Sequence, residues 1–462
     1  MRATPVGSNF GLFETLSGQG PTGRPVAAPR LRKAERRQAS LRPVGLEELP
    51  PPDHRARFVW AFAERLDLSA LYGAIRAVEG RPGHPPADPR VLPALRLYAA
   101  VEGVGSAREV DRLCQEHIGF EWLCGGVGMN HTALAEFRVA HGAALERLLV
   151  DSFAAMLKAG HASLERVARD GMRVRAAAGA ASFRRRAPLE RCRAEAAAEV
   201  ARLRAELEAG PGAPNRRQAA ACPRAAADRE RRVEAALAVV AQLTAQPQAG
   251  CRLHDQDPPK PEGGAGSGAA KPPPEPRVST TDAEARVMRM PDGGFRPAFN
   301  LGFASDPRST MIAAVTLDNT GSDEGQLRPM SERLAAVHGR RPSEHLVDGG
   351  FAKLADVEAP AAVGVAVFAP VPKPRDPARD PHAPRDGDGP GVAARRQRMG
   401  SGAAKAVYKE RAATAECVNA RCRNRGLLRS SVRGLEKART VGLWHALAHN
   451  HNMVCTGRLL AT

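Results

Sequence analysis

The stretch Val167-Ala-Arg-Asp-Gly-Met-Arg-Val-Arg175 constrains this chain more than any other. Ala168, Asp170, Met172 and Val174 fall on one side of it, and Val167, Arg169 and Gly171 on the other. A period of two is the pattern of a strand. The lone acid is followed within sixteen residues by Arg173, Arg175, Arg184, Arg185 and Arg186. Packing alone gives little reason to set an acid in a strand and crowd arginines behind it. An acid that holds a metal, beside arginines that hold phosphates, gives such a reason.

The surrounding pattern frames that strand. Residues 1–45 are rich in Pro, Gly and Arg without periodicity and read as a disordered basic arm. Over 46–160 apolar residues recur at helical spacing. Asp88-Pro89 is expected to start one helix there, Ser106-Ala-Arg-Glu109 is a capping box, and a helix is expected from about Thr132 to Lys158. This reads as an all-helical domain of a kind that suits DNA binding. Residues 161–187 and 277–450 carry the alternating runs: Phe295–Phe303 and Met311–Leu317 as a hairpin, His345–Gly350, and Val363–Val367. Helices lie between and after them, which predicts an α/β domain with a mixed sheet. Residues 188–245 read as a helical-hairpin insertion turning at Gly210-Pro-Gly-Ala-Pro214, 246–276 as a Pro/Gly-rich linker, and 451–462 as a tail.

Charge narrows the partners. Lys and Arg number 68 against 50 Asp and Glu, a net charge of +18, which favours a polyanion such as nucleic acid. The eight cysteines form no CxxC pair and no disulfide spacing, so they read as reduced, buried thiols. No signal peptide and no apolar run of membrane length is present, which predicts a soluble protein of a reducing compartment.

Two strand-borne aspartates, Asp170 and Asp348, with a glutamate on a later helix are the parts of a divalent-metal phosphoryl-transfer site. Asp348 closes a short strand ahead of Gly349 and Gly350, where backbone can pass close to DNA or metal; Asp-Gly-Gly is equally ordinary turn chemistry. For the glutamate, both Glu410 and Glu416 are available. Helical spacing puts Glu416, Asn419 and Arg423 on one face, which prefers Glu416 and leaves Glu410 as a surface acid.

Val347-Asp-Gly-Gly-Phe351, the spacing Tyr408-x2-Arg411-x4-Glu416-x6-Arg423, and Ala168–Arg175 resemble bacterial insertion-sequence transposases of the DDE superfamily. The resemblance is to the insertion-sequence-1182 type, related to the group with a Tyr–Arg–Glu–Lys signature, and runs from about Arg30 to Asn450. It takes in Glu79-Gly-Arg-Pro-Gly, Trp122-Leu-Cys-Gly-Gly and Arg277–Arg286. It implies an RNase H-like catalytic domain with Asp170, Asp348 and Glu416 as catalytic, metal-holding acids and Mg²⁺ as cofactor (two ions, with Mn²⁺ able to substitute). It further implies cleavage at terminal inverted repeats, attack of the freed 3′-hydroxyl on target DNA, and a homodimer or larger assembly on paired ends, in a bacterial cytoplasm at the nucleoid. Arg173, Arg175, Arg184, Arg185, Tyr408, Arg411 and Arg423 are then the expected DNA contacts. Three departures stand out. Arg423 replaces the signature Lys, and four residues rather than three separate Arg411 from Glu416, which turns Arg411 about 100° away on a regular helix. The Gly/Pro-rich 258–276 segment and the tail after Asn450 are also unlike the family, with a polar His449-Asn-His-Asn452 where a continued apolar helix is expected. A copy that binds DNA without cutting it is the alternative function.

Overall fold

A computed structural model describes residues 44–73, 75, 77, 86–209, 216–245, 275–351, 353–374, 376 and 378–455. Most of the arm expected over 1–45 and of the 246–276 linker, and the Gly210–Pro214 turn, lie outside the described residues. The helices before the first strand are α1 (Arg55–Glu64), α2 (Ser69–Gly73), α3 (Val91–Glu102), α4 (Ala107–Glu116), α5 (Ile118–Cys124), α6 (His131–Ala140) and α7 (Gly142–Lys158). Ser106 caps α4 as its sequence suggests, its Oγ accepting from Glu109 N at 3.4 Å. Asp88 accepts from Arg90 N at 2.8 Å, but α3 begins at Val91, so the expected start at Pro89 moves on by two residues. The single helix expected over 132–158 is two, because His141 (φ −119°, ψ 37°) leaves helical space between α6 and α7.

The remaining elements are β1 (Arg166–Arg175), β2 (Phe183–Arg184), α8 (Arg186–Ala209), α9 (Arg216–Ala245), β3 (Val278–Ser279), β4 (Arg286–Arg289), β5 (Phe295–Ser305), β6 (Ile312–Asp318), α10 (Leu327–His338), β7 (Glu344–Leu346), α11 (Leu354–Ala362), β8 (Ala366–Phe368), α12 (Pro390–Gly400), α13 (Gly402–Arg411), α14 (Cys417–Asn424) and α15 (Leu435–Cys455). They form an α/β arrangement with a mixed sheet. Strand β1 is central, with antiparallel β5 on one side and parallel β7 then β8 on the other. The far edge of β5 carries β4 along its first half and β6 along its second, both antiparallel. Strand β4 has no counterpart in the sequence reading, since Arg286-Val-Met-Arg289 is too short and too charged to show a period. Strands β2 and β3 pair with each other, so the chain leaves for the α8–α9 hairpin and returns at one place. Leu189 of α8 packs there with Val233, Ala236 and Val240 of α9 and with Val278.

The helices of 55–158 and the sheet share one core. Tyr98, Leu95, Phe120, Leu134 and Leu149 lie in the same cluster as Met172, Leu301, Phe303, Val315 and the α15 residues Leu443, Trp444 and Leu447. Helix α15 is not amphipathic. It is instead buried nearly all round, from Ala438 to Met453, between these helices and strands β5 and β6. Gly442 permits the approach, since a Cβ there would meet Leu301 Cδ1 at 2.9 Å. Within the polar run that breaks the helix pattern, His449 and Asn450 are buried and paired. Asn450 accepts from Ile312 N at 2.8 Å and donates to Ile312 O at 2.9 Å, and His449 Nε2 lies 2.9 Å from Thr310 O. They serve as a side-chain partner for the start of β6, and the helix runs on to Cys455.

Trp444 shows what this helix contributes. It is 4% exposed and donates from Nε1 to Arg138 O at 3.0 Å. Trp444→Ala is expected to cost about 3–5 kcal/mol, measurable as a lower urea midpoint, because a large cavity opens between both groups of helices. A loss below about 1 kcal/mol would mean that α15 does not join them.

Candidate active site

The parity of β1 decides which helices meet Asp170. Ala168 packs with Leu346, Phe368, Met399, Ala404 and Ala415, which places α12 to α14 on its face of the sheet. Asp170, two residues on, faces the same way and lies beneath the helix that carries Glu416. Asn419 Nδ2 of α14 donates to Asp170 Oδ2 at 3.3 Å. Asp348 follows β7 as the chain turns into a short 3₁₀ stretch, with Phe351 N donating to Asp348 O at 3.0 Å. Leu346, two residues earlier, belongs to the same cluster as Ala168.

The separation of Arg411 from Glu416 is resolved by the backbone. Residues Ala412–Glu416 form a π turn between α13 and α14. An i→i+5 closure sets residue i+5 one turn above residue i, so the extra residue is absorbed and Arg411 is not rotated away. Its Nη2 donates to Glu416 Oε1 at 2.9 Å. The Arg411 side chain is only 12% exposed against 55% for Glu416, and its guanidinium lies 5.8 Å from the Tyr408 ring centroid.

Electrostatics tie these groups together. Burial pushes the Asp170 carboxyl above its ordinary range; the Arg411 charge pulls it back, and the Asp323 and Asp348 carboxylates push it further up. Burial works against the Arg411 charge, but Tyr408, Asp170, Asp348 and Glu416 together outweigh it and raise its pKa. One guanidinium is thus balanced against acids from a central strand, the end of its parallel neighbour and a helix. Glu410 lies elsewhere. Both its oxygens accept from Arg166 Nη1, at 2.9 and 2.8 Å, at the first residue of β1, where Arg166 also pairs with Glu344.

Two residues of this site have no place in the sequence reading. Asp323, between β6 and α10, accepts from Arg173 Nη1 and Asn300 Nδ2, both at 3.0 Å, and sits over Gly171 on the opposite face of β1 from Asp170. In sequence it is one acid in a polar turn, and only the tertiary fold brings it to β1. Arg169 is 1% exposed. It donates to Gln326 O and, at 3.3 Å, to Thr316 Oγ1, and its guanidinium lies 5.0 Å from the Phe351 ring centroid. It therefore ties together the segments that carry Asp323 and Asp348. Burial pulls its pKa down to about 10, with Asp318, Asp323, Asp170 and Asp356 opposing.

The expected DNA contacts are scattered. Arg173 is engaged with Asp323 and, at 3.1 Å, with Gly321 O. Arg175 is exposed at the end of β1, and Arg184 and Arg185 are exposed beside α8, with Arg184 also donating to Phe183 O at 3.3 Å. Tyr408 and Arg423 are half-buried, on α13 and α14.

Carboxylate oxygens are the donors a hard divalent ion takes. Their placement as it stands does not fit one. No three His, Cys, Asp or Glu groups among the described residues come close enough to hold a metal, and Arg411 stands among the acids.

Gly171 gives a local test. A Cβ on it would meet Asp323 Oδ1 at 2.5 Å, Asn300 Oδ1 at 3.0 Å and Arg173 Nη1 at 3.2 Å. Gly171→Ala is expected to cost about 1–3 kcal/mol in chemical denaturation. In an Asp323→Ala background the same change should cost less than half as much. Equal losses in both backgrounds would mean that Asp323 does not sit there.

Residues 44–140, covering α1 to α6, match the family model described as a transposase domain (DUF772). The match supports a transposase family and a role in a mobile element. No curated protein and no solved structure matches the chain. Among the described residues no helix is long and apolar enough to cross a membrane.

Proposed function

We propose that this chain is a DDE transposase of the insertion-sequence-1182 type, acting on double-stranded DNA at the terminal inverted repeats of its own element. The single observation that carries the reading is the meeting of Asp170, held by Asn419 of α14, with the π turn ahead of that helix where Arg411 pairs with Glu416, residues distant in sequence. The match of 44–140 to a transposase domain supports the same class. We read the sheet as RNase H-like, supported by a central acid-bearing strand with antiparallel strands on one side and two parallel strands on the other.

On this reading Asp170, Asp348 and Glu416 are the catalytic acids and Mg²⁺ is the cofactor, with Mn²⁺ a substitute. Asn419 holds one oxygen of Asp170, and Arg169 fixes the segments beside it. Arg175, Arg184, Arg185, Tyr408 and Arg423 are assigned to DNA, and the helices before β1 to recognition of the repeats. Arg173 is assigned first to holding Asp323. Two DNA ends held together call for a homodimer or larger assembly, in the cytoplasm at the nucleoid.

The test is cleavage of a labelled duplex carrying the element's repeats, in Mg²⁺, by the full chain. Nicking at the repeat end is expected. A second reading, a DNA-binding remnant without chemistry, is favoured by the separation of the acids. Retarded repeat DNA with no cleavage in Mg²⁺ or Mn²⁺ would decide for it.

A further inference from the structure

The acids of the site are separated, yet they are not left uncompensated. Arg411 reaches Glu416 at 2.9 Å while its side chain is only 12% exposed. The π turn at Ala412–Glu416 is what makes that contact possible, since five residues of regular helix would point the two side chains apart. The guanidinium sits against the Tyr408 ring, and its Nε is buried without a hydrogen-bond partner. An arginine placed only to bind DNA would be expected to face solvent with its donors open. This one is turned inward, with one end on an acid and another donor unspent.

We propose that Arg411 is an internal counter-ion of this site: its guanidinium, fixed on Glu416 and set against the Tyr408 ring, supplies a positive charge beside the acids and excludes a divalent cation until it is drawn away. The acids cannot close on an ion while a fixed positive charge stands among them, because two cations at contact distance repel in a partly desolvated site. The chemistry that would draw the guanidinium off is a phosphate, which binds arginine through paired N–H donors. Tyr408 offers the planar group a face to slide across. Metal loading is then coupled to arrival of the DNA backbone, and the free protein is held in an ion-poor state. The inference rests on the reading of Asp170, Asp348 and Glu416 as ion-binding acids.

The experiment is a titration of the full chain with Mn²⁺, following the free ion by electron paramagnetic resonance. Without DNA, Arg411→Gln is expected to bind Mn²⁺ at least about tenfold more tightly than the unaltered chain, and adding Asp170→Asn to it should undo that gain. Arg411→Met, which keeps the aliphatic length, runs in parallel, with circular dichroism to verify folding. The unaltered chain titrated with duplex DNA present supplies a measurement that needs no variant, and its affinity should rise by a similar factor. If Arg411→Gln binds Mn²⁺ no more tightly than the unaltered chain while Asp170→Asn weakens binding, the counter-ion role is wrong and the acid assignment stands. If Asp170→Asn has no effect in either background, the acid assignment has failed and takes the counter-ion role with it.

Discussion

Asp170→Asn is expected to lower cleavage of repeat-bearing duplex by about a thousandfold or more while leaving DNA retardation within about threefold. The amide preserves the size of the side chain and its contact with Asn419, so the fold has little reason to change. What it removes is a half-buried negative charge at the point where Arg411, Asp323 and Asp348 all act on one carboxyl. Asp348→Asn should behave alike, and Glu416→Gln should add release of Arg411, since that ion pair is lost. Glu410→Gln should leave cleavage nearly unchanged and instead loosen the start of β1, where Arg166 grips it. Full cleavage by Asp170→Asn would remove β1 from the chemistry. Loss of cleavage in Glu410→Gln equal to that in Glu416→Gln would move the third acid to the other end of the strand.

The second large effect is in stability against pH. Burial lowers the pKa of His445 and His449 to about 4 and of His345 to about 3, from an ordinary value near 6.5. Neighbouring guanidinium groups push the same way: Arg96 and Arg425 on His445, Arg421 and Arg425 on His449, and Arg169 on His345. The folded pKa lies below the unfolded one, so the unfolded chain binds more protons across the interval. The stabilisation is complete above pH 6.5 and is lost as pH falls towards the folded values. Each of His445 and His449 accounts for about 3 kcal/mol across that window, and His345 for somewhat more. Asp170, Asp282 and Asp318, whose pKa values burial raises, oppose the loss as pH approaches the carboxylate range. The steepest fall in urea midpoint is therefore expected between about pH 6.5 and 5. His345 has no partner for either ring nitrogen, so His345→Leu should flatten the profile without a large penalty at pH 7.5. A midpoint that stays level from pH 7 to 5 would mean that these rings are not buried neutral.

How much of this was legible without coordinates depends on what kind of signal each element leaves. Strand β1 and the β5–β6 hairpin announce themselves because alternation survives in any context. Strand β4 and helix α12 do not. The buried side of α12 is partly charged, with Arg396 and Asp388 paired at 2.6 Å and each side chain 6% exposed, so no apolar period marks it. Nothing in the sequence around Asp388 hints that it is held this way. Helix α15 misleads for the same reason in reverse. Its polar His449-Asn-His-Asn452 reads as a break in an apolar helix, yet His449 and Asn450 are inside because the start of strand β6 offers them backbone groups.

The sequence alone determined the class of structure and the candidate chemistry: an alternating run bearing Asp170, an acid followed by two glycines, and a late helix with Tyr408, Arg411, Glu416 and Arg423 at fixed spacing. Those are local patterns, and local patterns follow from periods of side-chain direction. The tertiary structure decided which side chains meet. It set Asp170 beneath α14, brought Asp323 to β1 from a stretch with no motif, turned Arg169 of that strand onto Gln326, and separated Glu410 from Glu416. It also turned Arg411 back onto Glu416 through a π turn. The physical reason is that an α turn and a π turn draw on the same residues, and only the helix's packing against β1 chooses between them.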